Sequence, residues 1–252
     1  MNGQKGRGRR AEGLPARGTA GRPGPGGDRR PVGVPFAEAR AYDGWFDSAW
    51  GRHAFGVESQ AVEDAAGPVD GRRVLDAGCG TGRFAASLER QGARTAGVDL
   101  DPAMLAVAAS RVRGPLVVAD VQHLPLGDRT FDLALAVTVC EFTADPAAVV
   151  AEMVRVTRPG GRVVVGSLNP LSPWGLRRLA QFRRPPWRGA RFLGRRRLRQ
   201  LGRAHGRCRL QAALFTAGPP RSGRAATLLE ALGKRWAPAL GAFQVLVIDR
   251  AP

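Results

Sequence analysis

The sequence predicts a doubly wound α/β domain with a mostly parallel sheet, and three observations predict it. Apolar, β-rich runs of seven to nine residues recur from Arg72 onward without polar alternation, as in strands covered on both faces. Helical segments separate these runs, and two of them open with an Asp-Pro pair, at Asp101 and Asp145. Glycines punctuate the ends of several elements. Alternating strands and helices place helices on both faces of one sheet.

The elements follow in a regular order. Five strands are predicted at 72–78, 93–100, 114–120, 131–139 and 162–168, with helices between them at 83–91, from Pro102 onward, and from Asp145 to just before Pro159. The last third predicts helices at 172–184, 193–206 and 226–236, and strands at 208–215 and 242–249. The prediction therefore contains seven strands.

The ends of this domain are marked by changes in composition. Residues 1–35 are rich in Gly, Pro and Arg and nearly lack large apolar side chains, which predicts a disordered basic tail. Residues 36–252 are predicted to form the folded domain, in which the aromatic-rich helices of 36–70 act as a lid.

The net charge of +18 is unevenly distributed. Residues 31–170 carry 13 basic and 17 acidic side chains, whereas 171–229 carry 15 arginines and no acid. Two interpretations stay open: solvated arginines that reflect a codon preference, or a surface for an anionic partner. Three dispersed cysteines favour a reducing cytoplasm, and no apolar run is long enough to span a bilayer. A monomer is the expected oligomeric state.

The stretch from Val74 to Phe84, VLDAGCGTGRF, places a glycine turn directly after the first strand. Glycines at 78, 80 and 82 let backbone approach a ligand closely and adopt positive φ. The spacing differs from the G-x-G-x-x-G of dinucleotide sites, and Asp76 lies where a pyrophosphate would be repelled. The pattern favours a ligand with a positively charged end.

Three successive strands are predicted to end in aspartate, at Asp76, Asp99 and Asp120. In an open parallel sheet these ends lie at one edge, where ligands bind. A carboxylate at Asp99 can accept both hydroxyls of a ribose, and Asp120 can meet an adenine amino group. One such aspartate is commonly a turn or cap residue, but three beside a glycine loop indicate an adenosine-like ligand with an amine.

These motifs resemble those of the class I S-adenosylmethionine-dependent methyltransferases, whose fold is a Rossmann-like seven-stranded sheet with an antiparallel C-terminal edge pair. VLDAGCGTGRF resembles the first motif, GVDLDPAML the second, and the segment from Ala119 to Phe142 the third and fourth. YDGWF is similar to the lid of the type 11 subfamily. The resemblance implies S-adenosylmethionine as cofactor, bound by Tyr42, Asp76, Gly78, Cys79, Gly80, Thr81, Gly82, Asp99, Leu100, Met104, Asp120, Val121 and Thr138.

The catalytic candidates lie at the end of the fourth strand. Glu141 follows this apolar strand and is expected to face the methyl group, and Thr138 precedes it. A base is needed only where the acceptor must lose a proton. A structural role for Glu141 stays equally open. His53 and His123 are expected to be structural, and three dispersed histidines predict no metal site.

The acceptor is predicted to be a small molecule. The segment TVCEF carries neither the Asn-Pro-Pro-aromatic motif of amino-methylating enzymes of DNA and proteins nor the Pro-Cys of cytosine-C5 enzymes. The Arg-rich segment 171–209, with Trp174, Phe182, Trp187 and Phe192, is expected to cover the acceptor. Two alternatives stay open: an RNA methyltransferase that uses the basic tail and this segment, and a non-catalytic S-adenosylmethionine-binding protein.

Overall fold

The computed structural model describes residues 36–178, 189–216, 218 and 223–252. The predicted disordered tail 1–35 lies outside the described residues, as does the part of the predicted acceptor cover that contains Phe182 and Trp187.

Seven strands form one sheet in the order β3-β2-β1-β4-β5-β7-β6. Their bounds are β1 Arg73–Ala77, β2 Arg94–Asp99, β3 Leu116–Val118, β4 Phe131–Val137, β5 Thr157–Leu168, β6 Arg207–Ala213 and β7 Phe243–Asp249. The first five strands pair in parallel, and β7 runs antiparallel to both β5 and β6. The predicted fold class and the antiparallel edge pair are confirmed.

Eight α-helices and one short 3₁₀ turn are described around this sheet. Their bounds are α1 Phe36–Trp45, α2 Ala49–Ala66, α3 Arg83–Arg90, α4 Pro102–Ala108, α5 Pro146–Val156, α6 Pro173–Arg178, α7 Arg195–Arg203 and α8 Gly223–Trp236, with the 3₁₀ turn at Cys140–Phe142. The Asp101 and Asp145 side chains cap α4 and α5 by accepting from the amides of Ala103 and Ala147. These caps explain why the Asp-Pro pairs located both helix starts.

Two apolar layers sandwich the sheet. On one face, α2 packs Ala61 and Val62 against alternate strand residues that include Leu135 and Val164. On the other face, α5 and α7 pack residues such as Met153 and Leu198 against the alternate set. Because β4 and the first six residues of β7 are buried on both faces, they carry the unbroken apolar runs that the sequence showed.

Most strand bounds differ from the prediction by one or two residues, and β5 and β3 differ most. β5 begins at Thr157, five residues before the predicted start, because a bulge absorbs the Pro-Gly-Gly segment: Phe131 pairs with Thr157 and Leu133 already with Arg162. β3 is only three residues long. Asp120 therefore lies two residues beyond its strand, on a turn.

Candidate active site

The carboxyl ends of β1, β2 and β4 bring the predicted motifs together. β1 lies between β2 and β4, where the strand order reverses, and ligands of open α/β sheets bind in the crevice at this point. Asp76 near the end of β1 is in register with Gly97 of β2, and Asp99 at the end of β2 is in register with Val118. The site is thus built on rigid strands, with α1 and α2 contributed by the N-terminal segment.

The glycine loop is held against β2 by backbone hydrogen bonds. The amides of Gly78 and Cys79 both donate to the Val98 carbonyl, and the Gly80 amide donates to the Asp99 carboxylate at 2.7 Å. Gly78 and Gly80 have φ of 74° and 53°. A Cβ on Gly78 would lie 2.3 Å from the side chain of Val139, whereas a Cβ on Gly80 would meet nothing within 4 Å.

The three loop glycines are therefore required for different structural reasons, whereas the sequence analysis gave them one shared reason. Gly78 makes room for the segment that follows β4, and Gly82 makes room for Val112, 2.6 Å from its would-be Cβ. Of these three positions, only Gly80 borders open space, and it is the point at which a ligand can approach the backbone.

Both carboxylate oxygens of Asp99 already accept hydrogen bonds from backbone amides. One carboxyl oxygen accepts from the Gly80 amide and the other from the Asp101 amide at 2.9 Å. Each carboxylate oxygen can accept a second hydrogen bond, so two further donors can be accommodated. Burial raises the pKa of Asp99, against the effect of those amides. Asp99 thus sets the loop conformation and offers two acceptor positions to a diol.

Asp76 is a buried carboxyl with no cation beside it among the described residues. Its side chain accepts from the Ala85 amide of α3 at 3.1 Å. Burial, with a smaller contribution from the charge of Asp99, raises its pKa to about 7. A positively charged ligand near Asp76 would stabilise the ionised form.

The adenine-side candidates lie on a turn and on the start of α4. Asp120 accepts from the amide of Gln122 at 2.9 Å, and the neighbouring Val121 is buried. Leu100 is 44% exposed and Met104 is partly buried. An exposed leucine beside an acceptor-bearing turn suits a flat apolar ring whose edge carries an amino group.

The structure directs two predicted side chains away from the strand ends. The Cys79 side chain is buried against β2, where its Sγ would lie 2.8 Å from a Cβ on Gly97, and burial raises the pKa of this thiol. The Thr81 hydroxyl donates to Asp43 at 2.7 Å. Only the backbone of these residues remains for a ligand, because their side chains serve packing and the lid.

Sequence reasoning missed Asp43, which docks the lid on the glycine loop. Its carboxylate accepts from Thr81, from Arg83 at 2.7 Å and from both terminal nitrogens of Arg111, at 2.8 and 2.7 Å. These partners hold the pKa of Asp43 well below its usual range, although its partial burial opposes them. One carboxylate therefore ties α1 to α3 and to the end of α4.

Tyr42 is adjacent to this anchor. Its ring packs edge-on against Phe46 at 5.5 Å, and the Arg83 guanidinium lies 4.7 Å from the Phe46 ring centre. Burial and the charges of Glu58 and Asp99 raise the pKa of Tyr42 to about 12. Its hydroxyl thus remains protonated. The acid at 43 directly after this tyrosine, and the arginine directly after the glycine loop, were the signals that could have located the network.

Thr138 directly follows β4 with φ of 52°, a conformation that is strained for a β-branched residue. Its amide donates to the Gly166 carbonyl at 2.9 Å and its hydroxyl to the Val137 carbonyl at 2.8 Å. Such strain concentrates at functional sites. The prediction that Thr138 lines the site is consistent with this backbone.

Glu141 differs from the carboxylate expected at the open strand end. Its side chain is fully buried, and one oxygen accepts from the Ser167 hydroxyl at 2.8 Å and the Leu168 amide at 2.9 Å. The other oxygen is buried without a hydrogen-bond partner among the described residues. Burial raises the pKa of Glu141. Its first role is therefore to hold the end of β5 to the end of β4.

Glu58 of α2 is a second carboxyl that sequence reasoning missed. It lies on the inward stripe of α2, four residues after Ala54 and three before Ala61, both of which are buried in the core. Burial and the charge of Glu141 raise its pKa to about 8. A charged residue on an apolar helix stripe was the signal that could have found it.

The histidines have different positions. The His53 ring lies 2.9 Å from the Thr216 hydroxyl, which ties α2 to the segment after β6. His123 is exposed, 3.6 Å from Asp120. Within the described ranges, no three His, Cys, Asp or Glu side chains cluster as metal ligands.

Comparison with known proteins identifies the domain that contains this site. A family model described as a methyltransferase domain, of type 11, matches residues 75–165. The chain carries a class I S-adenosylmethionine-dependent methyltransferase domain. This is a family of enzymes that use S-adenosylmethionine as cofactor.

Two curated relatives match part of this chain. A malonyl-[acyl-carrier protein] O-methyltransferase from Serratia marcescens is 38% identical over 99 residues, 39% of each chain. An uncharacterized protein from Mycobacterium tuberculosis is 39% identical over 168 residues, 65% of this chain and 56% of that one. The matched regions thus span about two fifths and just over half of the relatives' lengths.

A solved structure extends the likeness to most of the described methyltransferase fold. The S-adenosylmethionine-dependent methyltransferase from Thermotoga maritima, described as a possible histamine N-methyltransferase, superposes with a TM-score of 0.66 at 26% identity. The superposition covers 84% of this chain and 96% of that one. The likeness therefore extends well beyond the residues that the family model matches.

The residues of this methyltransferase domain fit the cofactor. S-Adenosylmethionine carries a sulfonium and an ammonium, and Asp76 is a buried carboxyl without a cation partner in the described part of the chain. Gly80 leaves open space at the loop, and both oxygens of Asp99 retain an acceptor position. These three observations suit the amine end, the approach to backbone and the ribose of that molecule.

Proposed function

We propose that this chain transfers a methyl group from S-adenosylmethionine to a small-molecule acceptor. The observation that carries the proposal is the convergence of Asp76, Gly80 and Asp99 at the switch point, beneath a lid docked by Asp43. The intact set of acids and the anchored lid favour an enzyme over a protein that only binds the cofactor.

The cofactor-holding roles follow from the contacts. Asp76 would face the ammonium group, Gly80 the methionyl portion and Asp99 the ribose hydroxyls. Leu100 and Met104 would pack against the adenine ring, with Asp120 and the Val121 amide at its edge. Tyr42, held protonated, would donate a hydrogen bond to the methionyl carboxylate.

When bound, S-adenosylmethionine supplies an activated methyl group on a sulfonium, and the protein aligns the acceptor and excludes water. The lid anchored by Asp43 covers the loop, and the strained Thr138 lies at the strand end nearest the methyl position in this proposal. Glu141 holds β5 against β4 and so fixes the floor of the acceptor side.

Glu58 and Glu141 define the chemistry of that acceptor side. Glu141 is fully buried and Glu58 is partly buried, and neither has an arginine or lysine partner among the described residues. Such groups bind a hydrogen-bond donor or a cation and repel a phosphate. We infer an acceptor whose reacting end carries a donor or a positive charge. A positive charge beside Glu58 would lower its raised pKa, and the ionised carboxylate could then receive a proton.

The relatives are compatible with small acceptors. One acts on malonyl-[acyl-carrier protein], and the solved neighbour is described as a possible histamine N-methyltransferase. These two differ in acceptor atom, so they support small acceptors in general. The acidic acceptor side here favours the amine over the acyl group.

Titration of S-adenosylmethionine and S-adenosylhomocysteine into the purified chain tests the cofactor. We expect binding of both, and a loss of at least about 100-fold for Asp99→Ala, because two charge-assisted hydrogen bonds disappear. Asp128→Ala is the matched control, since Asp128 is exposed and pairs with Arg155. A folded wild-type protein that binds neither molecule would refute the proposal.

A panel of amines, phenols and carboxylic acids then tests the acceptor, with S-adenosylhomocysteine formation as readout. We expect turnover with amines, and a loss of about tenfold or more for Glu58→Gln. Asp64→Asn on the same helix is the control, because Asp64 is exposed and bonds Gln60. Turnover restricted to carboxylic acids would contradict the amine assignment while leaving methyl transfer intact.

A further inference from the structure

The exposed large apolar side chains of this chain are concentrated on one part of the surface. Eleven large apolar residues are exposed in the structure, and seven of them lie between 171 and 240. These seven are called the apolar patch here: Leu171, Leu176, Leu228, Leu229, Leu232, Trp236 and Leu240. Trp236 is 73% exposed and Leu171 is 68% exposed, values that are unusual for a side chain with no function at the surface.

The patch is continuous along one helix. Leu228, Leu232 and Trp236 are four residues apart on α8 and therefore form one stripe, beside Leu229. Leu240 follows in the turn after α8, where its amide donates to the Ala237 carbonyl.

One side chain joins α6 to this stripe. The Asn169 amide nitrogen donates to the Ala239 carbonyl at 2.8 Å and to the Gly241 carbonyl at 3.0 Å. Its amide oxygen accepts from the Leu171 amide at 3.1 Å. Asn169 thereby holds the backbone of Leu171, just before α6, to the turn that carries Leu240.

The charges around the patch are mostly positive, and the one acid on α8, Glu230, accepts from the Leu214 and Phe215 amides. Residues 171–229 carry 15 arginines and no acid. The Arg195 guanidinium at the start of α7 donates to the Pro238 carbonyl at 3.0 Å, which joins α7 to the turn beneath the patch. Exposed Arg196, Arg197 and Arg199 pair with no carboxylate among the described residues. Arg209 pairs with Asp249, but these three arginines of α7 are not neutralised by any described residue.

Trp236 and its neighbour have the chemistry of a lipid–water interface. The Arg235 guanidinium lies 5.2 Å from the Trp236 ring centre, so an apolar ring with a polar edge stands beside a cation. Amphipathic tryptophan beside arginine is typical of segments that lie at the headgroup level. No helix within the described ranges has the length and apolarity to cross a bilayer.

We propose that the apolar patch and the arginines of α7 form a peripheral docking surface for an anionic lipid bilayer. The leucines and Trp236 enter the headgroup–acyl boundary, and the arginines contact anionic headgroups. A second copy of the chain is disfavoured as the occupant, because a two-fold contact would bring two segments with 15 arginines each together. The proposal does not depend on the identity of the acceptor.

Flotation of the full chain with large unilamellar vesicles tests this surface. One set contains phosphatidylglycerol and phosphatidylcholine in equal parts, and the other phosphatidylcholine alone. We expect binding to the anionic vesicles only, reduced at ~1 M salt, where the Debye length falls to about 3 Å. Binding to neither set would overturn the proposal.

Two variants separate the apolar and basic contributions. The double variant Leu232→Asp/Trp236→Asp should lower the partition coefficient by at least about tenfold, since two large side chains no longer enter the bilayer. The triple variant Arg196→Gln/Arg197→Gln/Arg199→Gln should lower it roughly fivefold per arginine. The matched controls are Val118→Asp, exposed on the opposite edge strand, and Arg90→Gln/Arg94→Gln/Arg113→Gln.

Each alternative occupant of the apolar patch predicts a different experimental result. If another part of the same chain covers the patch, Leu232→Asp/Trp236→Asp lowers the melting temperature. If a second copy covers it, sedimentation shows a dimer that this variant dissociates. If RNA binds the arginines, a fluorescent RNA is bound and only the arginine variant weakens it, while vesicles are ignored. Any of these three results, without vesicle binding, overturns the proposal.

Discussion

The glycine-loop half of the domain and its Arg-rich last third use charge in opposite ways. Around the loop, nearly every charged group has a defined partner: Asp99 bonds two amides, and Asp43 bonds Thr81, Arg83 and Arg111. In α7, three consecutive arginines at 195–197 share a helix with Arg199, and burial and the charge of Arg199 lower the pKa of Arg195. The loop half uses its charged groups to fix its own geometry, whereas the exposed Arg196, Arg197 and Arg199 of α7 have no carboxylate partner among the described residues.

This difference matches two kinds of function, the binding of a small ligand and contact with a larger surface. A site that positions a small ligand needs rigid, pre-oriented groups, so its polar atoms are held by backbone amides and ion pairs. A surface that contacts a fluid or variable partner needs accumulated charge and apolar area instead of fixed geometry. The function of the loop half can therefore be predicted from sequence motifs, whereas that of the last third can be predicted only from composition.

Removing Asp43 should have the largest effect on stability. Without this residue, the partly buried guanidinium groups of Arg83 and Arg111 lose their carboxylate partner. We expect Asp43→Ala to lower the free energy of unfolding by about 2 kcal/mol and the melting temperature by about 4–8 °C. Calorimetry checks this value. Asp47→Ala is the control, because the Asp47 side chain is largely exposed and its carboxylate makes only a long contact, 3.5 Å, with the Arg83 guanidinium. Equal melting temperatures for both variants would show that the anchor contributes nothing.

The buried carboxyls predict that stability falls as pH rises. Burial raises the pKa of Glu58 from 4.5 to about 8 and that of Asp76 from 3.8 to about 7. The folded state thus holds protons that the unfolded state has released, and its stability advantage is lost between about pH 4 and 8.

Melting temperatures measured from pH 5 to 8.5 test this trend. Glu58→Gln should flatten the curve by a few degrees at the alkaline end, since a glutamine cannot ionise. Asp64→Asn should leave the curve unchanged. Bound S-adenosylmethionine should also oppose the decline, because its positive charges favour ionised Asp76.

Relief of the strained backbone at Thr138 should have a smaller effect of opposite sign. Thr138→Gly should raise the free energy of unfolding by about 0.5–1 kcal/mol, after the greater freedom of glycine in the unfolded chain is subtracted. Thr138→Ala retains the strain and should not stabilise. Methyl-transfer activity should fall in the glycine variant, as the strand end loses its fixed shape. A destabilised Thr138→Gly would contradict the strain argument.

The arginines of α7 should matter least to folding. Arg196→Gln/Arg197→Gln/Arg199→Gln should change the free energy of unfolding by less than about 0.5 kcal/mol, because exposed and unpaired side chains contribute little. Denaturant titration checks this. A large loss would mean that these arginines support the fold, and would erase the contrast with Asp43.

Much of this fold could be predicted because its signals are local. The Asp-Pro caps located α4 and α5, and the unbroken apolar runs located β4 and β7. β5 was predicted too short, because a bulge depends on pairing with Phe131 and not on the Pro-Gly-Gly segment itself. The local propensities of residues do not predict which strand residues will pair.

The site was predictable to the same extent. Asp76, Gly80 and Asp99 were predicted from strand ends and glycine spacing, and the structure brings them together. Asp43 and Glu58 were missed, because their importance lies in contacts 38 to 83 residues away, with Thr81, Arg111 and Glu141. The side chains of Cys79 and Thr81 turned away for the same reason: their neighbours on β2 and α1 are distant in the sequence.

The sequence by itself determined the α/β order, the glycine loop and the acids at or just after its strand ends, since each is encoded in consecutive residues. Only the tertiary structure decided which glycine borders the ligand, which aspartate anchors the lid, and that Glu141 binds β5 instead of facing outward. The physical reason is that a hydrogen bond or a close contact needs two partners in one place. Folding alone brings the partners together.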